Sequence, residues 1–106
     1  MSFILKEVLP ELASELKDLF IQAEKPHLSE QVDALQIVDR CRCGDSFCAT
    51  IYTIPKPKGA WGKNHYTIPL DAEAGMIIVD VLNEKVAEIE ILNRDEIRKK
   101  VLKLFP

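Results

Sequence analysis

Met76-Ile77-Ile78-Val79-Asp80-Val81-Leu82-Asn83-Glu84-Lys85-Val86-Ala87-Glu88-Ile89-Glu90-Ile91-Leu92 sets the architecture of this chain. Two runs rich in β-branched residues flank a short polar connector, the pattern of an antiparallel hairpin. With Asn83-Glu84-Lys85 as connector, Ile77, Val79 and Val81 fall opposite Ile91, Ile89 and Ala87. The reverse face then carries Asp80, Glu88 and Glu90, together with Ile78. A slip of one residue would turn the apolar set outward, so the pattern selects this register. An apolar sheet face needs a second layer to bury it.

The flanking segments supply that layer. After the hairpin, Asn93 is placed to cap a helix, and Glu96 completes a capping-box spacing. Ile97, Val101, Leu104 and Phe105 form the apolar stripe of that helix, while Arg98, Lys99, Lys100 and Lys103 suit its C-terminal end. At the other end of the chain, Leu5, Val8, Leu9, Leu12, Leu16, Leu19 and Phe20 recur at helical spacing. Pro10 lacks an amide hydrogen, so it starts the main helix or kinks a longer one, which fades near Glu24-Lys25-Pro26. A short helix from about Ser29 to Ala34, capped by Ser29, is expected next.

From Leu35 the period changes to two, and a strand runs into the segment Cys41-Arg42-Cys43-Gly44-Asp45-Ser46-Phe47-Cys48. Phe47 to Ile54 reads as the returning strand. A long loop with two prolines and two glycines follows, then a short strand from His65 to Leu70 whose Pro69 suits a sheet edge, then the turn Asp71-Ala72-Glu73-Ala74-Gly75. The expected fold is a single α+β domain, residues 1–106. It has an antiparallel sheet of about five strands, with an N-terminal and a C-terminal helix packed on one face.

Composition bounds the function. The chain has 106 residues, 47% of them hydrophobic and 29% charged, which is a globular balance with room for one core. The net charge of −3 argues against an electrostatic grip on nucleic acid. No apolar run approaches a membrane span, and the N-terminus lacks the regions of a secretory signal, so a cytoplasmic location with reduced thiols is expected.

The cysteines carry the most chemistry. Cys41 and Cys43 share a face of a strand, and that face begins with Leu35 and Ile37. A two-residue turn at Gly44-Asp45 sets Cys41 opposite Cys48; a four-residue loop, Gly44 to Phe47, sets Cys43 opposite Cys48. Opposed side chains have Cβ atoms roughly 4.5–5.5 Å apart. Three readings compete. The thiols fill the core as small hydrophobes. They bind zinc with a fourth ligand from His65, His27, Asp39 or Asp45, of which His65 is selected. Or Cys48 forms a reversible disulfide with Cys41 or Cys43.

Two further groups stand out. Lys56, Lys58 and Lys63 surround Trp61, with Tyr66 just beyond, and a cationic, aromatic loop can hold an anionic or peptide partner. The plainer alternative folds Trp61 back over the sheet. Asp80, Glu88 and Glu90 form a carboxylate set of the kind used in acid–base work, although outward charges on a half-exposed sheet are commoner. His27 sits in a turn and reads as solvated. No serine occupies a nucleophile elbow and no spacing builds a triad, which turns the reading away from an enzyme.

Leu70-Asp71-Ala72-Glu73-Ala74-Gly75-Met76-Ile77-Ile78-Val79-Asp80 followed by Val86-Ala87-Glu88-Ile89-Glu90-Ile91-Leu92 resembles small bacterial domains of unknown function, with their acidic-Gly turn and closing Ile-Glu-Ile-Leu strand. The resemblance covers the last third of the chain. Cys41-Arg42-Cys43-Gly44-Asp45 is similar to cysteine-bearing segments of bacterial immunity proteins, which bind and block a toxin partner. These resemblances imply a bacterial origin and carry over no site. The expected function is a non-catalytic interaction domain without a cofactor. It would meet a protein partner through the 56–66 loop and the cysteine hairpin. The rival is a small zinc-binding or thiol-redox protein using Cys41, Cys43 and Cys48.

Overall fold

The computed structural model, which describes residues 1–106, is built around the central hairpin. In chain order its elements are β1 (Phe3–Ile4), α1 (Leu5–Val8), α2 (Pro10–Gln22), α3 (Pro26–Gln31), a 3₁₀ turn at Val32–Ala34, β2 (Gln36–Ile37), β3 (Asp39–Arg40), β4 (Ile51–Tyr52), β5 (His65–Leu70), β6 (Met76–Leu82), β7 (Lys85–Leu92) and α4 (Asp95–Leu104). The architecture is α+β, as expected. A five-stranded antiparallel sheet has the order β3-β4-β7-β6-β5, and β1 pairs with β2 in a separate two-stranded sheet.

Ile77 lies opposite Ile91 and Val79 opposite Ile89, as the apolar pattern requires. The loop end differs from expectation. Leu82 pairs with Lys85, so the connector is the two residues Asn83 and Glu84, at φ 51° and 60°. Positive φ at both positions is the hairpin geometry that matches right-handed strand twist. Asp80 still opposes Glu88, which leaves Ala87 as the extra residue of a bulge, and Val81 meets Val86 instead.

One face of the sheet is the core face. Ile51, Ile68, Leu70, Ile77, Val79, Val81, Val86, Ile89 and Ile91 join a single buried cluster with Leu12, Leu16 and Phe20 of α2, Leu28 of α3, and Ile97 and Val101 of α4. Burying side chains of this size contributes roughly 1.5–3 kcal/mol each. The helices therefore cover one side, and the other side is left for polar groups.

Several local expectations are corrected. Pro10 opens α2 and also ends α1, because the residue before a proline is pushed out of helical geometry, and Leu9 has φ −134°. The short helix starts at Pro26, three residues before Ser29, whose hydroxyl instead donates to the Lys17 carbonyl at 3.0 Å. Asn93 does not cap α4: it has φ 61°, Arg94 occupies the cap position without a side-chain cap bond, and Glu96 bonds Arg94. The strands beside the cysteines are two residues each, shorter than the runs expected from Leu35 and to Ile54. No helix is long and apolar enough to cross a membrane.

Candidate functional site

Strand pairing assigns the open face. Asp39 opposes Tyr52, Tyr52 opposes Glu88, and Glu88 opposes Asp80, so these side chains share one side of the sheet. The Cys41 amide donates to the Thr50 carbonyl, and Cys48 bridges to Leu92. Alternation then puts Cys41, Cys48, Thr50 and Tyr52 on that same side. Two bonds fix this end of the cysteine hairpin to β7: Ala49 N–H to Ile91 O at 2.8 Å and Asn93 N–H to Phe47 O at 2.9 Å.

The register Arg40 to Ile51, continued by counting, sets Cys43 across from Cys48. This is the four-residue-loop alternative. The three Sγ atoms all lie within 4.8 Å of one another, and all three cysteines are free. They are not core residues. Ile37 is fully buried, but Cys41 and Cys48 are half-buried and Cys43 is exposed. The face that begins at Leu35 and Ile37 does not continue to the cysteines because Ile37 belongs to the small sheet and Asp39 to the large one. The two arginines are engaged elsewhere. Arg40 donates to the carbonyls of Phe105 and Cys41, and Arg42 donates to Asp39 and to the carbonyl of Pro106.

The thiols are electrostatically distinct. Burial raises Cys48, but the Thr50 hydroxyl and backbone, with the Cys43 and Cys41 sulfurs, outweigh it and bring the thiol below its ordinary range. Cys48 Sγ lies 3.4 Å from Thr50 Oγ1. For Cys43 the Asp45 backbone pulls downward, yet the Cys48 sulfur, desolvation and Cys41 together push it up to about 11. Between these two thiols, Cys48 therefore ionises ahead of Cys43.

Beside the thiols lies a second cluster. Carboxylate oxygens of Asp80, Glu88 and Glu90 also fall within 4.8 Å of one another. Asp80 and Glu88 are only 7% and 8% exposed, against the expectation of outward, solvated charges. Asp80 Oδ1 lies 2.9 Å from His65 Nε2 and accepts from Thr67 Oγ1 at 3.0 Å. Burial and the neighbouring Asp80 charge raise Glu88, while Lys56, His65 and the Trp61 indole oppose them. Burial, Asp80 and Glu88 push Glu90 up to about 7. Tyr52 stands between the clusters: burial raises its phenol, and the charges of Glu88, Cys41 and Cys48 add to that.

The 56–66 loop closes over this face rather than standing free. Trp61 stacks on His65 with centroids 6.3 Å apart, and the Lys56 ammonium sits 5.3 Å from the centre of the Tyr52 ring. Lys58 and Lys63 are exposed. Tyr66 points to the opposite side, where its hydroxyl donates to Glu84 at 2.8 Å. His27 bonds that same Glu84 at 3.0 Å. The sequence-selected partner set is therefore split between two surfaces. The proposed fourth metal ligand, His65, belongs with the carboxylates and lies outside the thiol group. Sequence reasoning missed Tyr52 and Thr50, although the alternation Cys48, Thr50, Tyr52 was there to be read. Set against known protein families, curated proteins and solved structures, the chain finds no match.

Proposed function

We propose that this protein is a non-catalytic binding domain whose ligand is a thiophilic metal ion, zinc first, held by Cys41, Cys43 and Cys48. One observation carries this reading: three free thiols meet within 4.8 Å on a partly exposed hairpin. Zinc–sulfur bonds of about 2.3 Å in a tetrahedron set sulfurs roughly 3.8 Å apart, so a contraction of at most about an ångström closes the trio. Thiolates are the donors that select soft and borderline cations. Cys48 ionises more readily than Cys43, and metal binding displaces the thiol protons that remain. The chain brings three ligands together, and exposure at Cys43 leaves the fourth position to water or to a donor from a partner.

Native mass spectrometry of the full chain tests the reading. One zinc per chain is expected, lost to a chelator, with all three thiols shielded from alkylation while the metal is bound. A chain that keeps no zinc after equilibration with the ion, or a Cys41→Ser/Cys43→Ser/Cys48→Ser variant that keeps it equally well, would sink the proposal. A second reading rests on the exposure of Lys58 and Lys63 beside Trp61. It makes the loop a surface for an anionic protein partner. Equal recovery of every bound protein by wild type and by Lys58→Ala/Trp61→Ala/Lys63→Ala would remove it.

A further inference from the structure

The cysteine hairpin is also built for a second kind of chemistry. We propose that it is a peroxide-operated switch: hydrogen peroxide joins Cys43 to Cys48 through a disulfide and, on the zinc-binding reading of the same trio, takes two of the three donors from the metal. The first observation is distance. All three thiols are free, and no two of their Sγ atoms are more than 4.8 Å apart. The second is backbone register, which separates the possible pairs. Counting on from Arg40 opposite Ile51, Cys43 faces Cys48 and Cys41 faces Thr50. Directly opposed Cβ atoms stand roughly 4.5–5.5 Å apart, near the roughly 3.5–4.5 Å of a disulfide. Cys41 and Cys48 are diagonal neighbours, a relation that sets residues about 7–8 Å apart. The third is freedom to close. Bonds from Ala49 to Ile91 and from Asn93 to Phe47 tie the Cys48 side to β7, whereas no backbone hydrogen bond holds Cys43. Gly44, at φ 83°, opens the turn with clear space beside it. Cys43 is exposed and Cys48 half-buried, so a molecule as small as the peroxide reaches the pair.

The reaction takes two steps. One sulfur of the pair, as thiolate, attacks a peroxide oxygen; an S–O bond forms, the O–O bond breaks, and the leaving hydroxide takes a proton to become water. The opposed thiol gives up its proton and attacks that sulfur; the S–S bond forms, the S–O bond breaks, and a second water leaves. Two thiols lose two electrons in all, and the peroxide is reduced to two waters. A sulfur in a disulfide is no longer a thiolate, so only Cys41 remains as a donor. Metal and disulfide therefore exclude each other.

The full chain is treated with one equivalent of hydrogen peroxide, metal-free and zinc-loaded, and followed by intact mass, peptide mapping and a chromogenic chelator. Trypsin cuts after Arg42, so a Cys43–Cys48 bond stays within one peptide, while a bond to Cys41 joins two. Metal-free protein should lose about 2 Da, with the bond inside the single peptide, and a dithiol reductant should reverse it. Zinc-loaded protein should release its zinc faster than an untreated control. Cys43 is exposed, so Cys43→Ser folds; its disulfide yield should fall at least ~10-fold, with a sulfenic acid, about 16 Da heavier, in its place. Oxygen adducts without a disulfide in wild type, a bond that joins Cys41, an irreversible product, or zinc retained after the disulfide has formed each overturn the proposal. A chain that never loads zinc counts against the zinc reading alone, because the metal-free arm still decides whether Cys43 and Cys48 pair.

Discussion

Cys48 is poised to ionise ahead of Cys43, although Cys43 is the thiol most open to solvent. Alkylation rates follow the thiolate fraction as well as access. In the metal-free protein, iodoacetamide at about pH 8 should therefore modify Cys48 ahead of Cys43. Peptide mapping of partially alkylated protein reads this directly, and earlier labelling of Cys43 would refute the assignment. Thr50→Val should slow the Cys48 reaction by removing the hydroxyl 3.4 Å from its sulfur. At this scale the spacing of the thiols was legible, and so was their convergence on one side of a turn. Their exposure was not, because it depends on the chain leaving one sheet for another between Ile37 and Asp39. Periodicity carries no mark of such a change of sheet.

One glycine turn and one arginine tie the elements together. Gly75, at φ 66°, closes the β5–β6 connection, and a Cβ there would sit 2.5 Å from the Leu92 carbonyl oxygen. Gly75→Ala combines left-handed strain with a backbone clash and should cost about 1–3 kcal/mol, read as a drop in the chemical-denaturation midpoint. Arg94 grips Glu15 of α2 through both terminal nitrogens, at 3.0 and 2.9 Å, and its Nη1 also reaches the Ala74 carbonyl at 3.2 Å. Its side chain is 13% exposed, and the acids around it raise its pKa. Lysine offers a point charge without the planar fork. Arg94→Lys should lose about 1–3 kcal/mol, and a double-mutant cycle with Glu15→Gln should locate the loss in that pair. The existence and type of β5, β6, β7, α2 and α4 were legible from apolar period. The capping box at Asn93 misled because Arg94 spends its side chain on Glu15, Ala74 and Glu96. The hairpin connector misled because a tight left-handed pair plus a bulge preserves the same apolar register as a longer loop.

The whole molecule places one continuous apolar core on the helix side of the sheet and leaves charged groups on the other side. That division was legible in Ile77, Val79, Ile89 and Ile91 against Asp80, Glu88 and Glu90. The burial of Asp80 and Glu88 was not, since it requires Trp61 and Lys56 to fold back across a strand pairing between β4 and β7 that is distant in sequence. The buried acids give stability a defined pH dependence. Burial first, then Asp80 and Glu88, raise Glu90 from 4.5 to about 7, and burial also raises Glu88. Between those two values the folded chain holds a proton that the unfolded chain has released. Unfolding then gains stability from every rise in pH, so the fold weakens from about pH 4.5 to about pH 7 and levels above that. Asp33, Glu84 and Glu96 are lowered by their partners and act with the opposite sign, but only as pH falls below the ordinary carboxylate range. The two windows do not overlap. In chelator-treated protein the urea midpoint should be higher at about pH 5 than at about pH 7.5, and Glu90→Gln, which cannot release that proton, should shrink the difference. A difference of the same size in wild type and variant would mean that Glu90 ionises as freely in the fold as in water, and the open face would then be wetter than its buried acids require.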